Sequence, residues 1–179
     1  MLPRHLLPLL ALVLTAAVAP SPAAAAVPPA SFYSPADGSI PAAHGKLMRI
    51  ERISGGSLPR NGKSFVVLYS SRAPSGEAVA VSGLVTLPKG PAPRGGFPVV
   101  SWAHGTEGIA DSCAPSKYAT NAPTSDYERD FRKQAMRWVN KGWVVAQTDY
   151  QGLGTPDLHP YLIGVAEGRS VIDIVSAVR

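Results

Sequence analysis

The stretch that decides the fold is Phe97-Pro-Val-Val-Ser-Trp-Ala-His-Gly-Thr106. Residues 99–103 form a short apolar run, with Pro98 before it and His104-Gly105 after it. A run of this length with sharp bounds is typical of a strand that is buried on both faces of a parallel sheet. Ligands of open α/β sheets bind beyond the carboxyl ends of such strands. We therefore expect the residues that follow this strand to line a binding site.

The first 26 residues have the layout of a secretory signal peptide. A short basic start is followed by an apolar run over residues 6–18 and by an alanine-rich tract that ends at Ala26. The alternative, a membrane anchor, needs about 20 unbroken apolar residues, and Pro8 and Thr15 interrupt the run. We therefore expect cleavage near Ala26 and a secreted (extracellular) mature protein.

The charge pattern excludes some partners. The formal net charge is +5, and removal of the signal peptide, which carries one basic and no acidic residue, leaves +4. These charges are spread along the chain without a block of five or six of one sign, so nucleic-acid binding is not indicated. No later stretch is apolar and long enough to predict an integral membrane segment.

The sequence also gives no sign of a cofactor or metal. Gly152 and Gly154 lack the third glycine of a dinucleotide-binding fingerprint, and no phosphate-binding loop of the Gly-x-x-x-x-Gly-Lys type is present. No cluster of histidine, cysteine and aspartate has the spacing of metal ligands. We therefore predict neither a cofactor nor a metal.

The order of the elements predicts an α/β fold. Residues 27–45 are expected to be an extended lead-in on the domain surface, and two or three antiparallel strands follow. The predicted elements are strands over residues 46–53 (a half-buried edge strand), 64–71, 78–87 and 99–103, a helix over 126–141, a strand over 143–149 and a helix from about residue 165. The strand–helix–strand unit predicts a parallel pair of strands.

Both predicted helices are amphipathic. Ser125 and Glu128 form a capping box at the start of the first helix, and an apolar stripe follows that is expected to pack against the sheet. The stripe consists of Tyr127, Phe131, Ala135, Trp138 and Val139. The second helix places Val171, Ile172, Val175 and Val178 on one face, and its pattern continues to Arg179. We therefore expect the chain to be the N-terminal fragment of a longer protein.

Cys113 is the single cysteine. In an exported protein, an unpaired cysteine indicates either a missing disulfide partner or a free reactive thiol. We favour a missing partner, because nothing in the sequence places a histidine suitably to make Cys113 a nucleophile.

Several motifs, taken in this order, resemble the secretory lipase family of the α/β-hydrolase superfamily. They are Trp102-Ala-His-Gly-Thr106, Ala110-Asp-Ser-Cys-Ala-Pro-Ser116, Gly142-Trp-Val-Val, Thr148-Asp-Tyr-Gln-Gly-Leu-Gly154, His159-Pro-Tyr161 and Glu167-Gly-Arg-Ser. The resemblance covers roughly residues 45–179. It implies that residues 46–179 are the N-terminal part of an α/β-hydrolase sheet.

The resemblance implies a lipase or esterase that acts on triacylglycerols or other carboxylic esters through a Ser–Asp–His triad. The nucleophile of such enzymes lies in a Gly-x-Ser-x-Gly motif on a strand-to-helix turn, and this motif is absent. Its nearest imitation, at Gly168 and Ser170, falls inside the predicted last helix, so Ser170 is expected to be a helix residue. His159 and Asp173 have the residue types that would complete a triad with Ser170. His159, however, precedes a proline in an irregular loop, and we expect it to have a surface or packing role.

The residues that this chain would contribute are therefore accessory. The resemblance implies that the backbone N–H of Thr106 is one donor of an oxyanion hole, with Gly105 allowing the turn. The alternative is an ordinary strand-to-loop turn. His104, Asp149 and Tyr150 would either line the substrate pocket or brace this loop.

Three further expectations follow. Glu107 and Asp111 could orient the loop, but we expect them to be solvated loop carboxylates. Cys113 would pair with a cysteine beyond Arg179, and the fragment alone would be inactive. The alternative to an enzyme is a secreted, non-catalytic binding module with an α/β-hydrolase-like fold.

Overall fold

The computed structural model describes residues 26–56 and 58–179. The predicted signal peptide, apart from Ala26, lies outside these residues. The described elements, in chain order, are helix α1 (Ala30–Tyr33), strands β1 (Leu47–Ile53), β2 (Gly62–Arg72), β3 (Ala78–Pro88) and β4 (Val99–Trp102), two 3-10 turns (Asp111–Cys113 and Pro115–Tyr118), helix α2 (Asp126–Asn140), strand β5 (Val144–Thr148) and helix α3 (Gly164–Ala177). Each predicted strand and each predicted long helix is present.

The five strands form one mixed sheet in the order β1-β2-β3-β5-β4. The pairs β1/β2, β2/β3 and β3/β5 are antiparallel, and β4 and β5 are parallel. The predicted parallel strand–helix–strand unit is thus confirmed, and β1 is an edge strand as expected. The α/β class, with antiparallel leading strands before the parallel pair, is confirmed as well.

The position of β4 corrects one prediction. Its four residues are all half-buried, whereas all five residues of β5 are buried. The reason is the strand order, which inserts β5 between β3 and β4 and gives β4 only one neighbouring strand among the described residues. The apolar run over residues 99–103 was expected to be buried on both faces, a description that fits β5 instead.

Helices cover both faces of the sheet. Val144 and Ala146 of β5 pack with Ile174 of α3 on one face, and Val145 packs with Phe131 of α2 on the other. This alternation follows from the period of two along a strand. Ile174 is completely buried, which stabilises the fold by about 1.5–3 kcal/mol.

The lead-in over residues 27–45 is not simply an extended surface segment, contrary to the prediction. It contains α1, and Phe32 and Tyr33 are buried with Ile53 and Leu68 of the sheet. These two aromatic rings cover the sheet on the β1–β2 side, on the face opposite α3. The alanine- and proline-rich composition of the segment gave no indication of this burial. Two large aromatic side chains are nevertheless sufficient to anchor a segment to the core.

The start of α2 differs in detail from the predicted capping box. The Ser125 hydroxyl accepts the Glu128 N–H at 3.1 Å, as expected. The Glu128 carboxylate, however, accepts the N–H of Thr124 at 2.9 Å rather than that of Ser125, and it also pairs with Arg132. Tyr127 is 44% exposed and does not belong to the core stripe.

The buried face of α3 agrees in part with the predicted face, since Val171, Val175 and Val178 pack against the core as partly buried residues. Its buried residues are Ala166, Ser170, Asp173 and Ile174, whereas Ile172 is 65% exposed. Hydrophobicity alone did not reveal that Ser170 and Asp173 belong to the buried face, because their polar side chains find hydrogen-bond partners inside the protein. The helix ends at Ala177, although its apolar pattern continues to Val178.

Candidate functional site

The carboxyl ends of the two parallel strands lie side by side. Trp102 of β4 pairs with Gln147 of β5, so His104 and Asp149 both lie two residues beyond this pair. The His104 Nε2 atom is 3.4 Å from the Asp149 carbonyl oxygen. The parallel pairing therefore brings together the two segments that the sequence predicted separately.

An open cleft of about 190 Å³ lies at this edge of the sheet. Residues predicted for the site line it: His104, Gly105, Thr106 and Tyr150. Tyr161 lines it as well, and its hydroxyl lies 3.1 Å from the Thr106 Oγ1 atom. Asp149 and Cys113 are not among the residues that line the cleft.

The loop after β4 is held by hydrogen bonds to its backbone. The Tyr150 hydroxyl donates to the His104 carbonyl at 3.0 Å, and the Gly105 N–H donates to the Tyr127 hydroxyl at 2.8 Å. The His104 Nδ1 atom lies 2.7 Å from the Gly105 carbonyl and, since a carbonyl only accepts, must carry the proton in this contact. Within residues 26–56 and 58–179, the Thr106 N–H makes no hydrogen bond.

Tyr150 has an unusual backbone. Its φ angle is 69°, in the left-handed region that a bulky residue adopts at a cost of about 1–2 kcal/mol. Its N–H donates to the Thr148 hydroxyl at 3.0 Å, which helps to hold this conformation. Burial raises the pKa of the Tyr150 phenol to about 12, and the nearby Glu167 carboxylate adds to the shift. At neutral pH the phenol is therefore protonated and can donate to His104.

Asp149, which precedes the cleft residue Tyr150, is fully buried. Its carboxylate accepts the Ser116 N–H at 2.9 Å, the Ser116 hydroxyl, and the Ser82 hydroxyl at 2.6 Å. Burial raises the pKa of this carboxyl group, and the three hydrogen bonds oppose the shift. Of the two roles that the sequence left open for Asp149, these contacts favour bracing over lining the pocket.

Cys113 packs against the same loop. Gly108 has a φ angle of 122°, and a Cβ atom at this position would lie 2.5 Å from the Cys113 Sγ atom. Only glycine fits here, for both reasons. Cys113 is a free, half-buried thiol in the described chain, and its pairing with a cysteine outside the chain stays a prediction.

The two loop carboxylates differ from one another. Asp111 is exposed, in line with a solvated carboxylate. Glu107 is only partly exposed, and burial raises the pKa of its carboxyl group. Glu107 therefore fits a fully solvated carboxylate less well than Asp111 does.

The structure does not bring Ser170, His159 and Asp173 together as a triad. The buried Ser170 hydroxyl donates to the Ala166 carbonyl within α3, as expected of a helix residue. Asp173 accepts from the Ser71 hydroxyl and from the His44 ring. The His159 Nδ1 atom lies 2.8 Å from the Gln151 carbonyl.

The described residues contain neither a metal-binding cluster nor a membrane-spanning helix. No group of three or more histidine, cysteine, aspartate or glutamate side chains in this part of the chain could hold a metal ion. Among the same residues, no helix is long and apolar enough to cross a membrane.

Three residues around the site were missed in the sequence. Tyr127 falls on the apolar stripe of α2, so its spacing gave no reason to separate it from the core. Tyr161 and Ser116 lie within motifs that carry the resemblance, but nothing local indicates that Tyr161 reaches Thr106 or that Ser116 reaches Asp149. These contacts join residues that are 55 and 33 positions apart.

Comparison with known proteins gives matches to solved structures. Candida antarctica lipase A in its closed state matches with a TM-score of 0.69 and 21% identity, over 86% of this chain and 36% of the lipase chain. The ligand-bound rice cell wall degrading esterase LipA from Xanthomonas oryzae matches with a TM-score of 0.56 and 23% identity, over 76% and 38%. A putative hydrolase from Legionella pneumophila matches with a TM-score of 0.54 and 20% identity, over 74% and 38%.

Searches against protein-family models and curated proteins found no match. The chain spans little more than a third of the length of the solved structures that it matches. At this level of identity, the likeness concerns the fold. The described residues therefore have the fold of part of an α/β-hydrolase, the fold of the lipases and esterases that they match.

Proposed function

We propose that this chain is the N-terminal part of a secreted serine ester hydrolase, a lipase or esterase, and that it contributes the oxyanion-hole loop. One observation carries the proposal. The Thr106 N–H is without a hydrogen-bond partner among the described residues, and Thr106 lines an open cleft beyond the carboxyl end of β4. Ligands of α/β folds bind at this position.

The chemistry needs a donor of this kind. When a serine hydroxyl attacks the carbonyl carbon of an ester, the histidine takes the hydroxyl proton and the carbonyl oxygen becomes an oxyanion, to which the Thr106 N–H would donate. The alcohol then leaves with a proton from the histidine, and water releases the acid from the acyl-enzyme. One such donor is worth about 3 kcal/mol in the transition state. The reaction requires neither a metal nor a cofactor.

The serine, the acid, the histidine and the second oxyanion donor would come from residues beyond Arg179. The fragment alone would then be inactive. Cys113 would form a disulfide with a cysteine in the same missing part, in keeping with secretion.

The substrate would be a carboxylic ester, such as a triacylglycerol. Support for contact with a lipid interface comes from the lining of the cleft, where Tyr161 is 44% exposed and the adjacent Leu162 is 72% exposed. Exposed apolar side chains that lie together mark interaction sites.

The first experiment determines the coding sequence after Arg179. A connecting loop and one strand should come next, so Gly-x-Ser-x-Gly should follow roughly 10–20 residues beyond Arg179. Aspartate, histidine and a second cysteine should come later, and the full-length product should hydrolyse nitrophenyl esters. A stop codon directly after Arg179 would rule out a triad and with it the proposed activity.

A second candidate is a non-catalytic binding module. It is favoured by the exposed apolar side chains of α3, in particular Val165 and Ile172, which a partner would cover. Residues 27–179 alone should not hydrolyse esters in either case. Steady turnover by this fragment that is lost in Ser170→Ala would contradict both candidates.

A further inference from the structure

The loop after β4 presents two successive backbone donors, and only one of them is open. The Gly105 N–H is bound by the Tyr127 hydroxyl at 2.8 Å. The next donor, the Thr106 N–H, has no partner among residues 26–56 and 58–179. A glycine can rotate its peptide groups more freely than other residues, so some other contact must decide which donor faces the cleft.

Two tyrosine hydroxyls hold the peptide group between His104 and Gly105 at opposite edges. Tyr150 donates to its carbonyl oxygen at 3.0 Å, and Tyr127 accepts from its N–H. In a trans peptide, these two groups point in opposite directions within one plane. Contacts at both edges therefore stop the plane from rotating, which neither contact could do alone.

The peptide group between Gly105 and Thr106 is held in a fixed orientation as well. Its carbonyl, that of Gly105, lies 2.7 Å from the His104 Nδ1 atom. Since the C=O and N–H of one peptide point in opposite directions, a carbonyl held by the His104 ring turns the Thr106 N–H away from that ring. The two tyrosines and the histidine together define where the Thr106 N–H points.

Tyr127 comes from a different element than the other two residues. It lies in the first turn of α2, which the Ser125 and Glu128 cap holds in place. Its ring is 44% exposed, so it contributes less to the core than its neighbours in the stripe. A Cβ atom at Gly105 would lie 3.8 Å from the Tyr127 Cζ and hydroxyl oxygen atoms, so the ring packs directly against the loop.

We infer that Tyr127 is a positioning residue for ester hydrolysis: its hydroxyl occupies the Gly105 N–H and fixes the loop so that the Thr106 N–H is the donor to the oxyanion. This inference rests on the proposed function. Tyr127 is not among the residues that line the cleft, so it would act without touching the substrate. Its effect is transmitted through the peptide groups on either side of Gly105.

The test is Tyr127→Phe in the full-length gene product, assayed with a short-chain nitrophenyl ester. Loss of one neutral hydrogen bond that orients the donor should lower kcat by about fivefold, with KM nearly unchanged. Inhibition by a boronic acid, which forms a tetrahedral anion on the serine, should weaken by a similar factor. The matched control is Asp130→Asn, which removes an exposed ion pair with Lys133 in the same helix and should leave kcat unchanged.

A second measurement monitors the loop directly. Hydrogen exchange of the Gly105 amide, followed by NMR, should be faster in Tyr127→Phe than in the wild type, and unchanged in Asp130→Asn. This readout separates a local change in the loop from a general loss of stability, which would accelerate exchange throughout α2 and the sheet.

The outcomes separate the inference from the function on which it rests. A full-length protein without ester hydrolysis would refute the proposed function and the inference together. Ester hydrolysis with an unchanged kcat and unchanged Gly105 exchange in Tyr127→Phe would refute only the inference. A change in KM alone would refute it as well, because a positioned oxyanion donor acts in the transition state.

Discussion

The carboxyl ends of β4 and β5 lie next to each other but differ in character. At the end of β5, Asp149 is fully buried, and its carboxylate receives three hydrogen bonds from Ser116 and Ser82. At the end of β4, the cleft is open, and the Thr106 N–H has no partner within the described residues. The polar group at the end of β5 is satisfied by hydrogen bonds within the protein, whereas the loop after β4 has a backbone donor without a partner among the described residues.

The difference separates a structural role from a chemical one. A buried polar group lowers stability unless it is hydrogen-bonded, so the contacts of Asp149 are needed for the fold. An N–H group beside an open cleft is not desolvated, so leaving it without a protein partner lowers the stability of the fold very little. We therefore expect substitutions at the β5 end to affect stability and those at the β4 end to affect activity.

The largest expected effect is that of Asp149→Ala. It leaves the two Ser116 donors and the Ser82 hydroxyl buried without their acceptor, which should lower the free energy of unfolding by about 3–5 kcal/mol. Urea denaturation of the protein measures the change. Asp130→Ala on α2 is the control, because its carboxylate is exposed and should contribute less than about 0.5 kcal/mol. Equal effects of the two substitutions would remove the contrast between the strand ends.

Two substitutions that each remove one hydroxyl group, one near each strand end, form a more closely matched pair with smaller expected effects. Ser82→Ala should lower the free energy of unfolding by about 1–3 kcal/mol, because it takes one donor from the buried Asp149 carboxylate. Thr106→Val removes only an exposed contact with Tyr161 and should change it by less than about 0.5 kcal/mol. Chemical denaturation of both variants measures the two changes in the free energy of unfolding. A larger loss in Thr106→Val than in Ser82→Ala would show that the open loop is the structural one.

The pH dependence of stability should sharpen the assignment of Asp149. Because burial raises its pKa, the folded protein holds the proton to a higher pH than the unfolded chain, whose carboxyl titrates near 3.8. Between these two pKa values the folded state binds more protons, so this group makes the free energy of unfolding fall as the pH rises.

Asp149→Asn has no such titration. The difference in unfolding free energy, wild type minus variant, should therefore be largest in acid and should fall as the pH rises through the folded pKa of Asp149. Urea denaturation at a series of pH values measures it. A difference that grows with pH would mean that the hydrogen bonds from Ser82 and Ser116 outweigh burial, and that the pKa is lowered rather than raised.

Much of this arrangement could be predicted from the sequence. The strands and the start of α2 depend on local patterns of apolar residues and capping side chains, and the structure contains them. The sequence also placed His104, Gly105, Thr106 and Tyr150 at one sheet edge, because parallel strands bring their carboxyl ends together.

Other features depended on contacts that no local pattern contains. The sequence predicted that residues 99–103 are buried on both faces, although β4 is half-buried and lies at the edge of the described sheet. It placed Tyr127 in the core, whereas its hydroxyl contacts a loop 22 positions away. It also chose Ile172 for the buried face of α3, where the polar Asp173 is buried instead, since Ser71 and His44 satisfy its carboxylate.

The sequence by itself determined which segments become strands and helices, their order along the chain, and the chemistry of the residues that follow β4 and β5. Periodicity, turn residues and caps involve residues that are only a few positions apart, so they can be recognised in the sequence alone. The tertiary structure alone decided that β5 lies between β3 and β4, and that the Gly105 N–H is bound while the Thr106 N–H has no partner in the part of the chain that the structure describes. Both depend on free energies of packing and hydrogen bonding between distant residues, which exist only once the chain has folded.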